Sequence, residues 1–126
     1  SKKKLKQLLT ICNSNNIQLS VFINPRKKII EIAKSLGFHA VELHTGPLDR
    51  EKVNKLDIKK INEMINYSYK KNLIVNIGHG LNFSNIKYIK NRHKVDTVHI
   101  GHFIISEAIF LSLPKVIKIF KNLIKL

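Results

Sequence analysis

Six histidines and five glycines carry most of the chemistry in this chain of 126 residues. The densest group is Gly78-His79-Gly80, followed further on by Gly101-His102 and preceded by His44-Thr45-Gly46. An imidazole exchanges protons near neutrality, so His79 is the leading acid–base candidate. A glycine beside it lets backbone amides approach an anion, and a helix that begins just after adds its positive end. Gly80, Gly101 and His102 therefore read as a phosphate site, with Gly78 alongside; the competing reading of Gly78 and Gly80 is a plain turn. His44 is a second acid–base candidate. Glu42 lies on the same strand face and serves equally well as an orienting partner for a neighbouring side chain. His99 reads as an inward residue that hydrogen-bonds within the fold, while His39 and His93 sit in no motif. A metal array would require His44, His79 and His102 to converge, and no tight His-x-Glu-x-x-His string is present, so no metal is predicted.

These residues need elements to hold them, and the chain alternates strand and helix. Leu5, Leu8, Leu9 and Cys12 share one face of a helix over 2–14, which Asn15-Asn16 breaks. A strand is predicted over 18–23, and a helix opening at Asn24-Pro25 buries Ile29, Ile32, Ala33 and Leu36 and stops at Gly37. A second strand over 39–43 runs into the turn-rich His44-Thr45-Gly46-Pro47. A helix near 56–71 carries Ile58, Ile61 and Ile65 inward; Met64, Tyr67 and Tyr69 lie on it as packing or surface residues. The third strand, 73–77, ends at the Gly-His-Gly group, and Ser84 or Asn85 caps a short helix with Ile86 and Ile89. Asn82 and Phe83 shape the loop after His79. The fourth strand, 97–100, ends at Gly101-His102. Helices with Ile104, Ile105, Ala108 and Ile109, and then with Pro114 in the first turn and Val116, Ile117, Phe120 and Leu123 inward, close the chain.

Strands joined by helical crossovers pair in parallel, with right-handed connections. Leu19, Val21 and Ile23, Val41 and Leu43, Leu73, Val75 and Ile77, and Val98 and Ile100 fall on one sheet face. The other face carries Ser20, Asn24, Glu42, His44, Asn76, Thr97 and His99. A doubly wound sheet is apolar on both faces. A barrel whose polar groups converge inside fits this pattern better, so four βα units are either half of an eightfold barrel or a small open α/β domain. As half a barrel it has two edges that call for a partner. Ligands of parallel α/β proteins bind at the C-terminal strand ends, where the polar groups above cluster.

Composition sets the remaining bounds. With 44% hydrophobic and 25% charged residues the chain is globular and long enough for one modest core. The single cysteine, Cys12, excludes an intrachain disulfide and a thiolate metal cluster, and reads as buried and inert. No apolar run has the length of a membrane span, and Ser1-Lys2-Lys3-Lys4 has no apolar stretch behind it, so a cytoplasmic setting is expected. The net charge of +15 invites a nucleic-acid partner. But 20 of the 23 basic residues are Lys, scattered over solvent-facing helix positions, without zinc-finger spacing or a platform of interleaved aromatics.

Four stretches together resemble one family. Leu19 to Pro25 (LSVFINP), Val41 to Pro47 (VELHTGP), Val75 to Phe83 (VNIGHGLNF) and Ile100 to Ile105 (IGHFII) match, in order and spacing, the C-terminal half of the pyridoxine 5'-phosphate synthases. The resemblance covers essentially the whole chain, residues 1–126, as a single half-barrel domain. It implies a parallel α/β half-barrel, four βα units corresponding to the second half of a TIM (β/α)8 barrel. It implies a condensation of 1-deoxy-D-xylulose 5-phosphate with 3-amino-2-oxopropyl phosphate, giving pyridoxine 5'-phosphate, phosphate and water, with no cofactor and no metal. It implies homo-octameric assembly, small phosphate esters as ligands, and no membrane. His79 matches the family's proton-donating histidine, Gly80 the ligand-binding glycine beside it, and Gly101 and His102 the pair that holds the product's phosphate.

The departures are specific. The family's other acid–base histidine and its catalytic glutamate lie in the first four βα units, which are not in this sequence, and Glu42 belongs to a different strand motif from that glutamate. His99 stands where the family usually has asparagine, and Asn24 where aspartate is more usual. Three readings follow: a synthase completed by a missing N-terminal half-barrel or by self-association and inactive alone, a non-catalytic phosphate-ester-binding remnant, and a basic nucleic-acid-binding module.

Overall fold

The computed structural model describes residues 2–125. The chain runs α1 (Lys2–Ser14), β1 (Ser20–Ile23), α2 (Lys27–Leu36), β2 (Ala40–His44), α3 (Lys55–Lys70), β3 (Ile74–Gly78), β4 (Thr97–His99), α4 (His102–Leu111) and α5 (Leu113–Ile124). Single 3-10 turns lie at Gly46–Leu48, Ile86–Tyr88 and Arg92–Lys94.

All three strand pairings are parallel, and the order is β1-β2-β3-β4. Each crossover thus steps one strand in the same direction, with none of the reversal that defines a doubly wound sheet. The register aligns Val21, Val41 and Val75 in one row and Ile23, Leu43, Ile77 and Val98 in another. These rows form one core with Ile30 and Ala33 of α2, Ile61 and Ile65 of α3 and Phe120 of α5. The opposite face carries Phe22, Glu42, Asn76 and Thr97 in register, then His44, Gly78 and His99. Helices on one side and polar groups on the other make a parallel α/β half-barrel, the fold class that the sequence pattern predicts.

Several local expectations are corrected. α2 begins at Lys27 rather than at Asn24-Pro25: Asn24 precedes proline and so disfavours helical backbone, and Arg26, the N-cap, is extended (φ −134°, ψ 128°). Gly37 does stop it, with φ +95° and its N–H on the carbonyls of Ala33 and Lys34. The helix expected after β3 is reduced to 3-10 turns that still bury Ile86 and Ile89; Asn85 makes no side-chain cap there. Leu8, Ile32, Ile105, Ile109 and Ile117, all expected inside, are exposed. In α2 the buried residues are Ile30, which was not expected, and Ala33, which was; in α5 they are Val116 and Phe120, both as expected. α4 has no buried residue: it follows an edge strand, and Ile109 and Phe110 are 78% and 83% exposed. Cys12 is buried as expected. Among the described residues no helix is long and apolar enough to cross a membrane.

Candidate functional site

β3 delivers its C-terminal residues into a strained turn. His79 has φ +80° and Gly80 has φ +69°, a backbone region that L side chains rarely adopt. Two anchors hold it. The hydroxyl of Thr45, fully buried after β2, lies 2.7 Å from the Gly78 carbonyl oxygen and 2.8 Å from that of His79, and shares its one proton between them. The Asn85 amide donates to the carbonyls of Gly80 (2.7 Å) and Leu48 (3.2 Å), while its own oxygen accepts the Asn82 N–H at 2.8 Å. Asn82 in turn accepts from the backbone of Ser84 and Asn85. The loop after His79 is therefore wired to itself and to the loop after β2. A side chain at Gly80 would put its Cβ 2.6 Å from that of Asp49, so this position excludes one twice, by space and by φ.

His79, Gly80, Asn82, His99, Gly101, His102 and Asp49 line one cleft of about 870 Å³ at the C-terminal ends of β3 and β4. Gly101 is the N-cap of α4, and His102 is its first residue. The first N–H groups of a helix have no partner inside it, and they carry the positive end of the helix dipole. The cleft thus combines a ten-residue helix N-terminus with three imidazoles, a setting suited to a phosphate ester whose atoms exchange protons.

On the neighbouring strand end, His44 stacks on His79 with ring centroids 4.7 Å apart, and Phe22 meets His44 edge-on at 5.3 Å. Burial, and secondarily the charge of His79, hold the His44 imidazole below its ordinary range, toward the neutral form. The convergence that a metal would need does not occur: among the described residues no three His, Cys, Asp or Glu side chains form a group able to hold an ion.

Glu42 reaches His99 across the middle strand, with its Oε2 2.7 Å from Nδ1. The two residues lie on β2 and β4, with β3 between them, a span of about 9.6 Å at ordinary strand spacing. The path is open because β3 carries Gly78 there; a Cβ at that position would collide with Glu42 Oε1. His99 is therefore the inward hydrogen-bonding residue that the sequence suggested, and Glu42 is its orienting partner.

The residues singled out as a phosphate and proton-transfer group, His79, Gly80, Gly101 and His102, all border the same cleft. His44 lies behind His79 and does not line the cleft. His39 lies away from it, 3.4 Å from the Leu19 amide. Sequence reasoning had Thr45 only as part of a turn-rich string and Asn85 only as a helix cap, and it missed Asp49. Thr45 and Asn85 are buried polar residues in turn-rich strings, the available signal for a structural clamp, but nothing in the sequence pairs Asp49 with Gly80.

Known proteins resemble this chain along its whole length. The family model of the pyridoxal phosphate biosynthesis protein PdxJ matches residues 1–126. The chain is 36% identical over 125 residues to the pyridoxine 5'-phosphate synthase of Blochmanniella pennsylvanica, covering 97% of this chain and 51% of that protein. It is 38% identical over 130 residues to the enzyme of that name from Pelagibacter ubique, covering 98% and 53%. Against the one from Thermodesulfovibrio yellowstonii it is 35% identical over 126 residues, covering 98% and 52%. The chain spans about half the length of these curated relatives. A match along all of its residues, on a half-barrel whose glycine-rich strand ends share one cleft, establishes that this chain belongs to the PdxJ family of pyridoxal phosphate biosynthesis proteins.

Proposed function

We propose that residues 1–126 are the C-terminal half of a pyridoxine 5'-phosphate synthase barrel. Its reaction joins 1-deoxy-D-xylulose 5-phosphate to 3-amino-2-oxopropyl phosphate and releases phosphate and water. His79 is the proton donor, Gly80 binds the ligand beside it, and Gly101 and His102 hold a phosphate against the start of α4. The observation that carries the reading is the shared cleft of these four residues at adjacent parallel-strand ends. A phosphate dianion gains there from helix-end amides, while a neutral or protonated imidazole stands within the same space. The reaction needs no cofactor or metal in this reading, and its setting is cytoplasmic.

A condensation with two eliminated groups needs more proton transfers than one imidazole supplies. Residues 1–126 thus need the rest of the barrel for turnover, supplied by an N-terminal half-barrel on the same or another chain or by a second copy. The exposed Phe22 and the open edges of β1 and β4 support a partner on that side. A second reading, a phosphate-ester-binding remnant without turnover, draws on the helix-end cleft by itself.

Mixing the chain with the N-terminal half of a relative and assaying pyridoxine 5'-phosphate decides between them. Product that disappears with His79→Ala supports the synthase. Turnover indifferent to that substitution removes His79 from its role. Binding of either substrate with no product in any mixture leaves the remnant.

A further inference from the structure

Asp49 is the one carboxylate among the described residues that line the cleft, and the proposed function gives it no role. We propose that Asp49 binds an ammonium group of the ligand, so that the cleft selects an amino phosphate ester, with its phosphate at Gly101-His102 and its amine at Gly80. The proposal rests on the reading of that cleft as the phosphate site.

The chain holds Asp49 in place from both sides. Leu48 before it is buried, and the Leu48 carbonyl accepts from the Asn85 amide at 3.2 Å. The Asp49 N–H donates to the Gly46 carbonyl at 2.9 Å. Asp49 itself is exposed, and its carboxylate lies against the Gly80 backbone: a Cβ built on Gly80 would stand 3.1 Å from Oδ2. Among the described residues no salt bridge takes up this carboxylate. The other side-chain oxygen on the cleft, Oδ1 of Asn82, already accepts from Ser84 and Asn85. Charge then decides what Asp49 favours. The chain carries +15, and the start of α4 attracts a phosphate dianion. A carboxylate on the same cleft repels that dianion and costs a plain phosphate ester affinity. An ester that also carries an ammonium group turns the same carboxylate into a fixed, charge-assisted acceptor. Of the two substrates in the proposed reaction, 3-amino-2-oxopropyl phosphate has an amine and 1-deoxy-D-xylulose 5-phosphate has none. A cleft positive at α4 and negative at Gly80 favours the first and disfavours the second, and it sets the amine on the turn that carries His79.

The test titrates the 15N-labelled chain with 3-aminopropyl phosphate and with n-propyl phosphate, esters that differ only in the amine. The pH is about 7.5, where a primary amine is charged and a phosphate monoester is a dianion. Binding is read at the Gly101 amide resonance. Both esters are expected to move it, the aminated one binding about tenfold more tightly, the scale of a charge-assisted hydrogen bond. Asp49→Asn keeps the shape and removes the charge; Asp49→Ser removes the charge with less bulk against Gly80. In both variants the preference is expected to disappear, with n-propyl phosphate bound at least as tightly as by the unsubstituted chain.

Equal binding of the two esters by the unsubstituted chain overturns the proposal and leaves the phosphate site standing. So does a preference for the amine that survives either substitution, which would place the ammonium acceptor elsewhere. If neither ester moves Gly101, the phosphate reading of the cleft falls, and the role of Asp49 falls with it.

Discussion

His44 and His79 stack with their ring centroids 4.7 Å apart, which sets two imidazoles close enough that a charge on one opposes a charge on the other. Burial adds to this at His44, whose ionisation is held down first by desolvation and then by His79. In the unfolded chain His44 takes up its proton near pH 6.5; in the folded chain it does so only at lower pH. The unfolded state therefore binds the extra proton in that window. Stability contributed by neutral His44 is present above about pH 6.5 and is lost as pH falls below it. Urea midpoints measured from about pH 8 to about pH 5 are expected to fall less steeply in His44→Gln than in the unsubstituted chain. Parallel curves would remove His44 as the source.

Thr45 ties the loop after β2 to the strained turn after β3. Its hydroxyl reaches the carbonyls of Gly78 and His79, and its N–H also donates to Gly78 at 2.8 Å. Thr45→Val preserves shape but removes the contact to the His79 carbonyl. The expected cost is about 1–3 kcal/mol, the penalty for a buried polar partner left unmet, read by urea unfolding. Loss of phosphate binding should accompany it, because His79 and Gly80 lose an anchor. A Thr45→Val variant as stable as the original would mean that solvent replaces the hydroxyl.

Two glycines on the same turn should behave differently. At Gly80 an added Cβ meets the Asp49 Cβ in a backbone of φ +69°, so neither neighbour nor torsion can easily yield. Gly80→Ala is expected to destabilise by about 1–3 kcal/mol. At Gly78 the nearest atom is the far end of the Glu42 side chain, which can swing away, although His99 Cβ at 3.1 Å is tight. Gly78→Ala should therefore cost less in urea unfolding and act chiefly on the Glu42–His99 contact. Equal losses of stability at the two positions would contradict this distinction.

Ile109 and Phe110 lie open on α4, and Ile105 is also largely exposed. Neighbouring apolar side chains of this size drive association in water. The chain is expected to self-associate in sedimentation velocity, and Ile109→Glu with Phe110→Glu should shift it toward monomer. Stability should change by no more than about 0.5 kcal/mol, since neither side chain is packed. An unchanged size distribution would place the contact elsewhere.

Residue order alone specified the parallel βα alternation, the apolar rows through Val41, Leu43, Val75 and Ile77, and the polar identity of the facing row. Strand periodicity makes those legible, because successive side chains must point to opposite faces. The glycine-flanked His79 and the Gly101-His102 pair were legible for the same local reason: a small residue at the end of an apolar run marks a close approach or a turn. The quoted strings also carried the family.

Which residues meet across strands emerged with the folded chain. Nothing local tells that Glu42 passes over Gly78 to His99, that Thr45 clamps the His79 carbonyl, or that Asp49 closes on Gly80. Those contacts depend on register between segments distant in sequence, and a shift by one residue would turn every side chain to the other face. The exposed side of α4 was hidden for a related reason. Its residues are as apolar as those of a buried helix, and burial depends on what packs against them; here α4 follows the edge strand β4, and its outer residues remain open to solvent.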